Sequence, residues 1–266
     1  MNDSSMEGTF NTVADAYEKI RPGYPDELYR MIFDYCPVGS GSLAAEVGIG
    51  GGQATLPVLE TGCAVTAVEY GEQLAQICRE KFRAFPGFSA MTGRFEEAVL
   101  PEGTFDLVYS ASAFHWIPEE IGYPKVFRML KSGGAFARFA NHPYRARNDP
   151  ELFEKISRVY AEYYYAYYKE KTQPAKYPEY TEEQAADRAK IAGKYRFTDI
   201  RYALFHRVRT LSAAEYRMLI GTYSDHIAME ENIREKFLDA IEDTIGRHGG
   251  MISVYDTIDL QLARKP

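Results

Sequence analysis

Short apolar runs alternate with stretches of helical period over much of the first half of the chain. SLAAEV (Ser42–Val47), CAVTAVEY (Cys63–Tyr70) and TFDLVYSAS (Thr104–Ser112) are short and mostly apolar, as strands buried on both faces should be. FSAMTG (Phe88–Gly93) and GAFARFAN (Gly134–Asn141) read as further strands. Between them, GEQLAQICREKFRAF places Leu74, Ile77, Cys78 and Phe82 near helical spacing, and EEIGYPKVFRMLKSGG reads as a helix closed by its glycines. Strand and helix in alternation predict a parallel sheet wound on both faces. Upstream, RPGYP (Arg21–Pro25) breaks two short helices, because proline disfavours helix at the residue before it.

The pattern changes after Asn148. A long tyrosine-bearing helix (Asp149–Lys171) and a second helix (Thr181–Gly193) precede a strand near RYALFHRVRTL. Helices at Ser212–Tyr223 and Glu230–Gly250 and a last strand from Met251 follow. The two late strands alternate apolar and polar residues, which predicts an antiparallel pair at one sheet edge. The expected fold is α/β: a doubly wound, Rossmann-like, seven-stranded sheet, mostly parallel with an antiparallel edge strand, plus an inserted helical lid. The expected blocks are N-terminal helices (1–40), a core of alternating strands and helices (41–147), the lid (148–195) and C-terminal strands and helices that complete the sheet (196–266). The tyrosine row Tyr160–Tyr168 reads either as helix packing or as a lid lining.

Bulk composition narrows the partners. A net charge of −7 gives no electrostatic help toward phosphate backbones or anionic membranes, so neither nucleic acid nor membrane is expected as a partner. The three cysteines, Cys36, Cys63 and Cys78, form no disulfide framework and no metal motif, and no metal is expected. The opening residues lack the basic and apolar regions of a secretory leader, which predicts a cytoplasmic protein, monomer or homodimer.

AEVGIGGGQAT (Ala45–Thr55) carries the candidate chemistry: a glycine-rich turn after a strand, with an acid inside the strand. In an open parallel sheet, ligands sit beyond the carboxyl ends of the strands. A nucleoside triphosphate needs a lysine in such a loop, and none is present. A dinucleotide needs GxGxxG, but counting from Gly48 the third position is Gln53, and Glu46 would lie close to the pyrophosphate. S-adenosylmethionine carries an ammonium and a sulfonium and no phosphate. Glu46 followed by Gly48, Gly50 and Gly52 suits it. Glu69 ends the second strand, 21 residues after Gly48, at the spacing of a ribose-binding acid.

This motif resembles the first motif of class I S-adenosylmethionine-dependent methyltransferases, written [DE]xGxGxG. The resemblance extends through TGRFEEAVLPEGTFDLVYSASAFHWIP (Thr92–Pro118). FNTVADAYEKIRPGYP (Phe10–Pro25) and SASAFHW (Ser110–Trp116) are similar to segments of the small-molecule, trans-aconitate methyltransferase-like group. It implies cofactor contacts from Tyr17, Arg21, Glu46, Gly48, Gly50, Gly52, Glu69, Tyr70, Phe95, Glu96 and Ser110. Arg94 stands where the family usually has an acid. His115, Trp116, His142 and Tyr144 follow strand ends and are the candidate substrate contacts, with Trp116 either walling a cavity or sealing the core.

The expected reaction is direct displacement of the sulfonium methyl by a small-molecule acceptor. A hydroxyl or amine acceptor needs a base, for which His115 is the candidate, since imidazole titrates near ~6.5. A carboxylate acceptor needs none, and Arg145 or Arg147 would grip it. A dinucleotide-dependent oxidoreductase and a non-catalytic S-adenosylmethionine-binding protein are the alternative readings.

Overall fold

The computed structural model describes residues 20–21, 23–144, 149–169 and 179–266. Tyr17, Arg145 and Arg147 lie outside the described residues.

The strands are β1 (Leu43–Val47), β2 (Ala64–Glu69), β3 (Phe88–Thr92), β4 (Phe105–Ala111), β5 (Leu130–Tyr144), β6 (Thr198–Ser212) and β7 (Met251–Arg264). They form a seven-stranded sheet in the order β3-β2-β1-β4-β5-β7-β6. β3, β2, β1, β4 and β5 pair in parallel. β7 runs against its neighbours. Its end meets the start of β5, where Gly133 N–H donates to the Lys265 carbonyl and Lys265 N–H to that of Gly134. Its start meets the end of β6, where Ala213 N–H donates to the Gly250 carbonyl. The expected sheet and its antiparallel edge pair are present. The strand order reverses between β1 and β4, which is where such sheets bind ligands.

The helices are α1 (Asp26–Tyr35), α2 (Leu56–Glu60), α3 (Glu72–Lys81), α4 (Glu119–Met129), α5 (Pro150–Val159), α6 (Glu182–Lys194), α7 (Ala213–Gly221), α8 (Ser224–Ile227) and α9 (Glu231–Gly246). α1 starts after Pro25 with Asp26 and Glu27 in its first turn, where the helix dipole favours acids, and buries Leu28, Tyr29, Ile32 and Tyr35. Thr181 with Gln184 and Ser212 with Glu215 form capping boxes that start α6 and α7.

Two expectations differ from the structure. The helix predicted to run to the glycines at 133 and 134 ends at Met129. Leu130 is already extended (φ −71°, ψ 143°) and pairs with Phe105, so β5 is 15 residues long. The long tyrosine helix does not stay α-helical. α5 passes into a π-helical segment, Tyr160–Tyr165, before a last α turn, Ala166–Tyr168.

The chain divides into two compact units. One comprises Pro22–Asn141, Thr181–Phe205 and Ile258–Pro266, and the other contains His142–Tyr180 and His206–Thr257 with Ile20 and Arg21. The expected lid block is therefore split. α6 buries Ala185, Ala189 and Ala192 within the first unit, with Ala192 against Phe197 and Phe136. The tyrosine segment belongs with α7, α8 and α9. There Tyr160 packs edge-on to Phe237 at 4.9 Å, within a core of Leu152, Ile156, Leu219, Ile241 and Ile245. Among the described residues, no helix is long and apolar enough to cross a membrane.

Candidate functional site

The glycine turn is tied to the carboxyl end of β2 by Glu69. One carboxylate oxygen accepts the Gly50 amide at 2.8 Å and the other accepts the Gly71 amide at 3.0 Å. Burial raises the pKa of Glu69, opposed by the backbone N–H groups of Gly71, Gly50 and Tyr70 that stabilise its charge. Gly48 continues the ladder, its amide donating to the Val68 carbonyl at 2.9 Å.

Two of the loop glycines answer to protein neighbours. Gly48 has φ +73°, and a Cβ there would lie 2.3 Å from Ala113 Cβ. Gly52 has φ +74°, and its Cβ would lie 2.6 Å from the Phe82 ring. Both positions exclude a side chain on conformational and steric grounds.

Glu46 lies beneath this turn and is wholly buried. Its Oε2 accepts the Thr55 hydroxyl at 2.7 Å and the Tyr109 hydroxyl at 2.8 Å, while Oε1 has no hydrogen-bond partner among the described residues. Burial pushes its carboxyl up to about 8, against the two hydroxyls that favour the charge, and the nearby Glu69 charge adds to the rise.

The exit of β4 is the second wall of the switch point. Ser110 is fully buried and donates to the Val47 carbonyl at 2.8 Å, which joins the ends of β1 and β4. Ser112 takes the left-handed conformation (φ 54°). Three hydrogen bonds hold it there: its N–H to the Phe139 carbonyl at 2.8 Å, the Asn141 N–H to its hydroxyl at 3.1 Å, and one between its hydroxyl and that of Tyr24 at 2.9 Å. A left-handed non-glycine residue costs roughly 1–3 kcal/mol, and such residues cluster at functional sites. His115 and Trp116 follow on an exposed 3₁₀ turn, their rings 4.9 Å apart. Trp116 is 56% exposed and does not seal the core.

The expected adenine-side residues divide in character. Tyr70 is half-buried beneath the Arg94 guanidinium, 5.1 Å from the ring centroid. Phe95 is buried in the first unit's core. Glu96 is half-buried, and its carbonyl, like those of Phe95 and Ala98, accepts from the Lys125 ammonium, which fixes this loop.

Glu46, Gly48, Gly50, Gly52, Glu69, Tyr70 and Ser110 thus gather at the carboxyl ends of β1, β2 and β4. Arg21, His142 and Tyr144 belong to the second unit. Arg21 donates to the hydroxyl and carbonyl of Thr222, each at 3.0 Å, and lies over the Tyr223 ring at 4.8 Å. His142 stacks on Tyr180 with centroids 3.9 Å apart, and Tyr144 meets Tyr255 at 5.7 Å.

The same unit holds a cluster that the sequence reading missed. Asp256 is fully buried and paired with Arg209 at 2.6 Å and Arg207 at 3.2 Å. Tyr223 lies within reach of the charges of Arg21, Arg209 and Asp256. A signal was present: Arg207 and Arg209 are two apart on β6 and so share a face, and Asp256 interrupts an apolar run.

A family profile described as a methyltransferase domain matches residues 45–137. An uncharacterized methyltransferase of Geobacillus is 31% identical over 150 residues, covering 53% of this chain and 68% of that protein. The chain belongs to the methyltransferase family. A methyltransferase-like protein of Schizosaccharomyces pombe is 27% identical over 244 residues, covering 90% of this chain and 88% of that protein. An uncharacterized methyltransferase of Mycobacterium tuberculosis is 31% identical over 129 residues, and the match spans only 50% of it. Among solved structures, the fold is shared with phosphoethanolamine N-methyltransferase 2 of Haemonchus contortus in complex with S-adenosyl-L-methionine. The TM-score there is 0.54 at 18% identity, covering 96% of this chain and 57% of that one. The YcgJ protein of Bacillus subtilis shares it with a TM-score of 0.55 at 13% identity, covering 91% and 100%.

The cofactor expected of this methyltransferase is S-adenosylmethionine, and the residues fit it. Glu69 anchors the turn and Glu46 lies behind it with an oxygen that has no partner among the described residues, a setting that suits a cationic ligand better than a phosphate.

Proposed function

We propose that the chain transfers a methyl group from S-adenosylmethionine to a small-molecule acceptor by direct displacement, within the trans-aconitate methyltransferase-like group. The observation that carries the reading is the Glu69 carboxylate bonded to both Gly50 and Gly71, with Glu46 behind the same turn. Glu69 would hold the ribose hydroxyls, and Tyr70, Phe95 and Glu96 would border the adenine. Glu46 and the β1 turn would face the cationic methionine end.

When bound, the cofactor supplies an electrophilic methyl on a sulfonium. The work left to the protein is alignment and exclusion of water, and holding reactants in line lowers a barrier by roughly 7–11 kcal/mol. The β4 exit, fixed by Ser112 and Tyr24, sets the position of His115. For a hydroxyl or amine acceptor, His115 takes the proton. In the second unit, Arg207 and Arg209 pair with the buried carboxylate of Asp256. A carboxylate acceptor would need no base. The protein would act in the cytoplasm as a monomer or homodimer, with no nucleic-acid or membrane partner.

Calorimetric titration of the folded protein with S-adenosylmethionine tests the cofactor. Methyl transfer from labelled cofactor to a panel of small carboxylic acids, alcohols and amines then tests the acceptor. Absence of cofactor binding sinks the whole proposal, and binding without transfer to any panel member sinks the small-molecule part.

A further inference from the structure

We infer that Glu46 is a neutral carboxylic acid in the free protein and releases its proton when S-adenosylmethionine binds, so that the negative charge beneath the turn is created by binding itself. The inference rests on the cofactor reading above and adds a proton to its chemistry.

The geometry argues for the neutral form. Glu46 is enclosed on all sides. Two hydroxyl donors, Thr55 and Tyr109, converge on one oxygen, and the other has no partner among the described residues. An ionised carboxylate offers about four acceptor sites, so a shielded oxygen with none filled leaves its charge poorly solvated. Among the described residues, the titratable groups that face Glu46 are Tyr109 from β4, Tyr29 from α1 and Glu69 from β2. None of these is a cation, and Glu69 carries the same sign. The Tyr29 hydroxyl is itself buried and without a partner. A buried acid in such surroundings keeps its proton and avoids the charge. The upward displacement of its titration to about 8 agrees. The orphaned Oε1 is the atom left to carry the proton, since Oε2 is occupied as an acceptor.

Binding reverses the balance. Gly48 is two residues beyond Glu46, and the turn it begins is where the cationic end of the cofactor would settle. Inside the protein a charge acts over several ångströms with little screening. An ammonium and a sulfonium over the turn favour the carboxylate. The O–H bond at Oε1 breaks, its electron pair stays on the oxygen, and the proton passes to the buffer. The protein therefore has no need to hold an uncompensated buried anion before the cofactor arrives.

The test is calorimetric titration of the full chain with S-adenosylmethionine at pH about 6.5, in PIPES and in imidazole, two buffers of different ionisation enthalpy. At this pH the cofactor's own α-amino group, which titrates near ~7.7–8.0, holds its proton throughout. The expected result is release of about one proton per cofactor bound, with affinity rising about tenfold per pH unit between roughly 6 and 7. Glu46→Gln, which copies the shape of the neutral acid, should bind with no proton released and no pH dependence over that range. Binding to wild type with no net proton release overturns the inference and leaves the cofactor reading standing. The same release from Glu46→Gln also overturns it. Failure of the cofactor to bind overturns both. Should Glu46→Gln fail to fold, Glu69→Gln in the same two buffers decides: release that persists there supports Glu46 as the source, and release lost there overturns the inference.

Discussion

Gly48 and Ala113 touch so closely that one added methyl on Gly48 would stand 2.3 Å from the Ala113 Cβ. This contact joins the turn after β1 to the exit of β4, and so couples the two walls of the candidate site. Gly48 also holds φ +73°, which a side chain disfavours. Gly48→Ala should therefore cost about 2–4 kcal/mol, adding overpacking to left-handed strain. Ala113→Gly in the same chain should recover the steric part and leave the conformational part. Denaturant unfolding of the single and double variants measures both. Equal stability of the two would show that the contact carries none of the cost.

Glu69 works on the protein before it meets any ligand. Its two oxygens satisfy the Gly50 and Gly71 amides, so Glu69→Ala strands two donors and should lose about 1–3 kcal/mol of stability. Affinity for S-adenosylmethionine should fall at least about tenfold, since the turn loses its anchor and the ribose its acceptor. Glu69→Gln keeps one acceptor oxygen and should fall between wild type and alanine in both. Chemical denaturation and calorimetry give the two numbers. Unchanged affinity in a folded Glu69→Ala protein would remove Glu69 from the site.

Much of this was legible before the structure. The β1-to-β5 alternation and the positions of Glu46 and Glu69 follow from local pattern, because parallel strands buried on both faces must be short and apolar. A second reason for two of the glycines was not legible. Gly48 and Gly52 read as backbone left bare for a ligand, and a side chain there would also meet Ala113, 65 residues away, or Phe82, 30 away. Long-range contacts leave no mark in a local pattern. The same holds for Asp256 with Arg207 and Arg209, which meet only because β6 and β7 pair, and for the switch to π geometry inside a run of tyrosines.

Glu46 also makes stability depend on pH. Its folded titration is raised from 4.5 to about 8, so the folded state binds more protons than the unfolded chain between those values. Stability is then fully present below about 4.5 and declines as pH rises through about 8. The accumulated loss is of the order of a few kcal/mol. The free protein should show a Tm that falls from pH about 5 to 8.5, and Glu46→Gln should flatten much of that slope and exceed wild type at the alkaline end. Thermal unfolding without cofactor checks this. A wild-type Tm that rises over that range, or a Glu46→Gln slope identical to it, would show that Glu46 is already ionised in the free protein.

Asp256 poses the opposite problem, a buried charge that is well paired. Arg209 spans both carboxylate oxygens, Nε to Oδ2 at 2.6 Å and Nη2 to Oδ1 at 3.0 Å. Both contacting nitrogens of Arg207 converge on Oδ2, at 3.2 and 3.3 Å. Removing one member of a buried pair costs more than the pair is worth, because its partner is left uncompensated. Asp256→Ala should therefore lose about 3–5 kcal/mol, and Arg209→Gln a similar amount, since the bidentate bond orients the carboxylate. Arg207→Gln should cost only about 1 kcal/mol, because Arg209 still neutralises Asp256. Denaturant unfolding of the three variants checks this order, and equal losses for Arg207→Gln and Arg209→Gln would show that the bidentate bond does not set Arg209 apart.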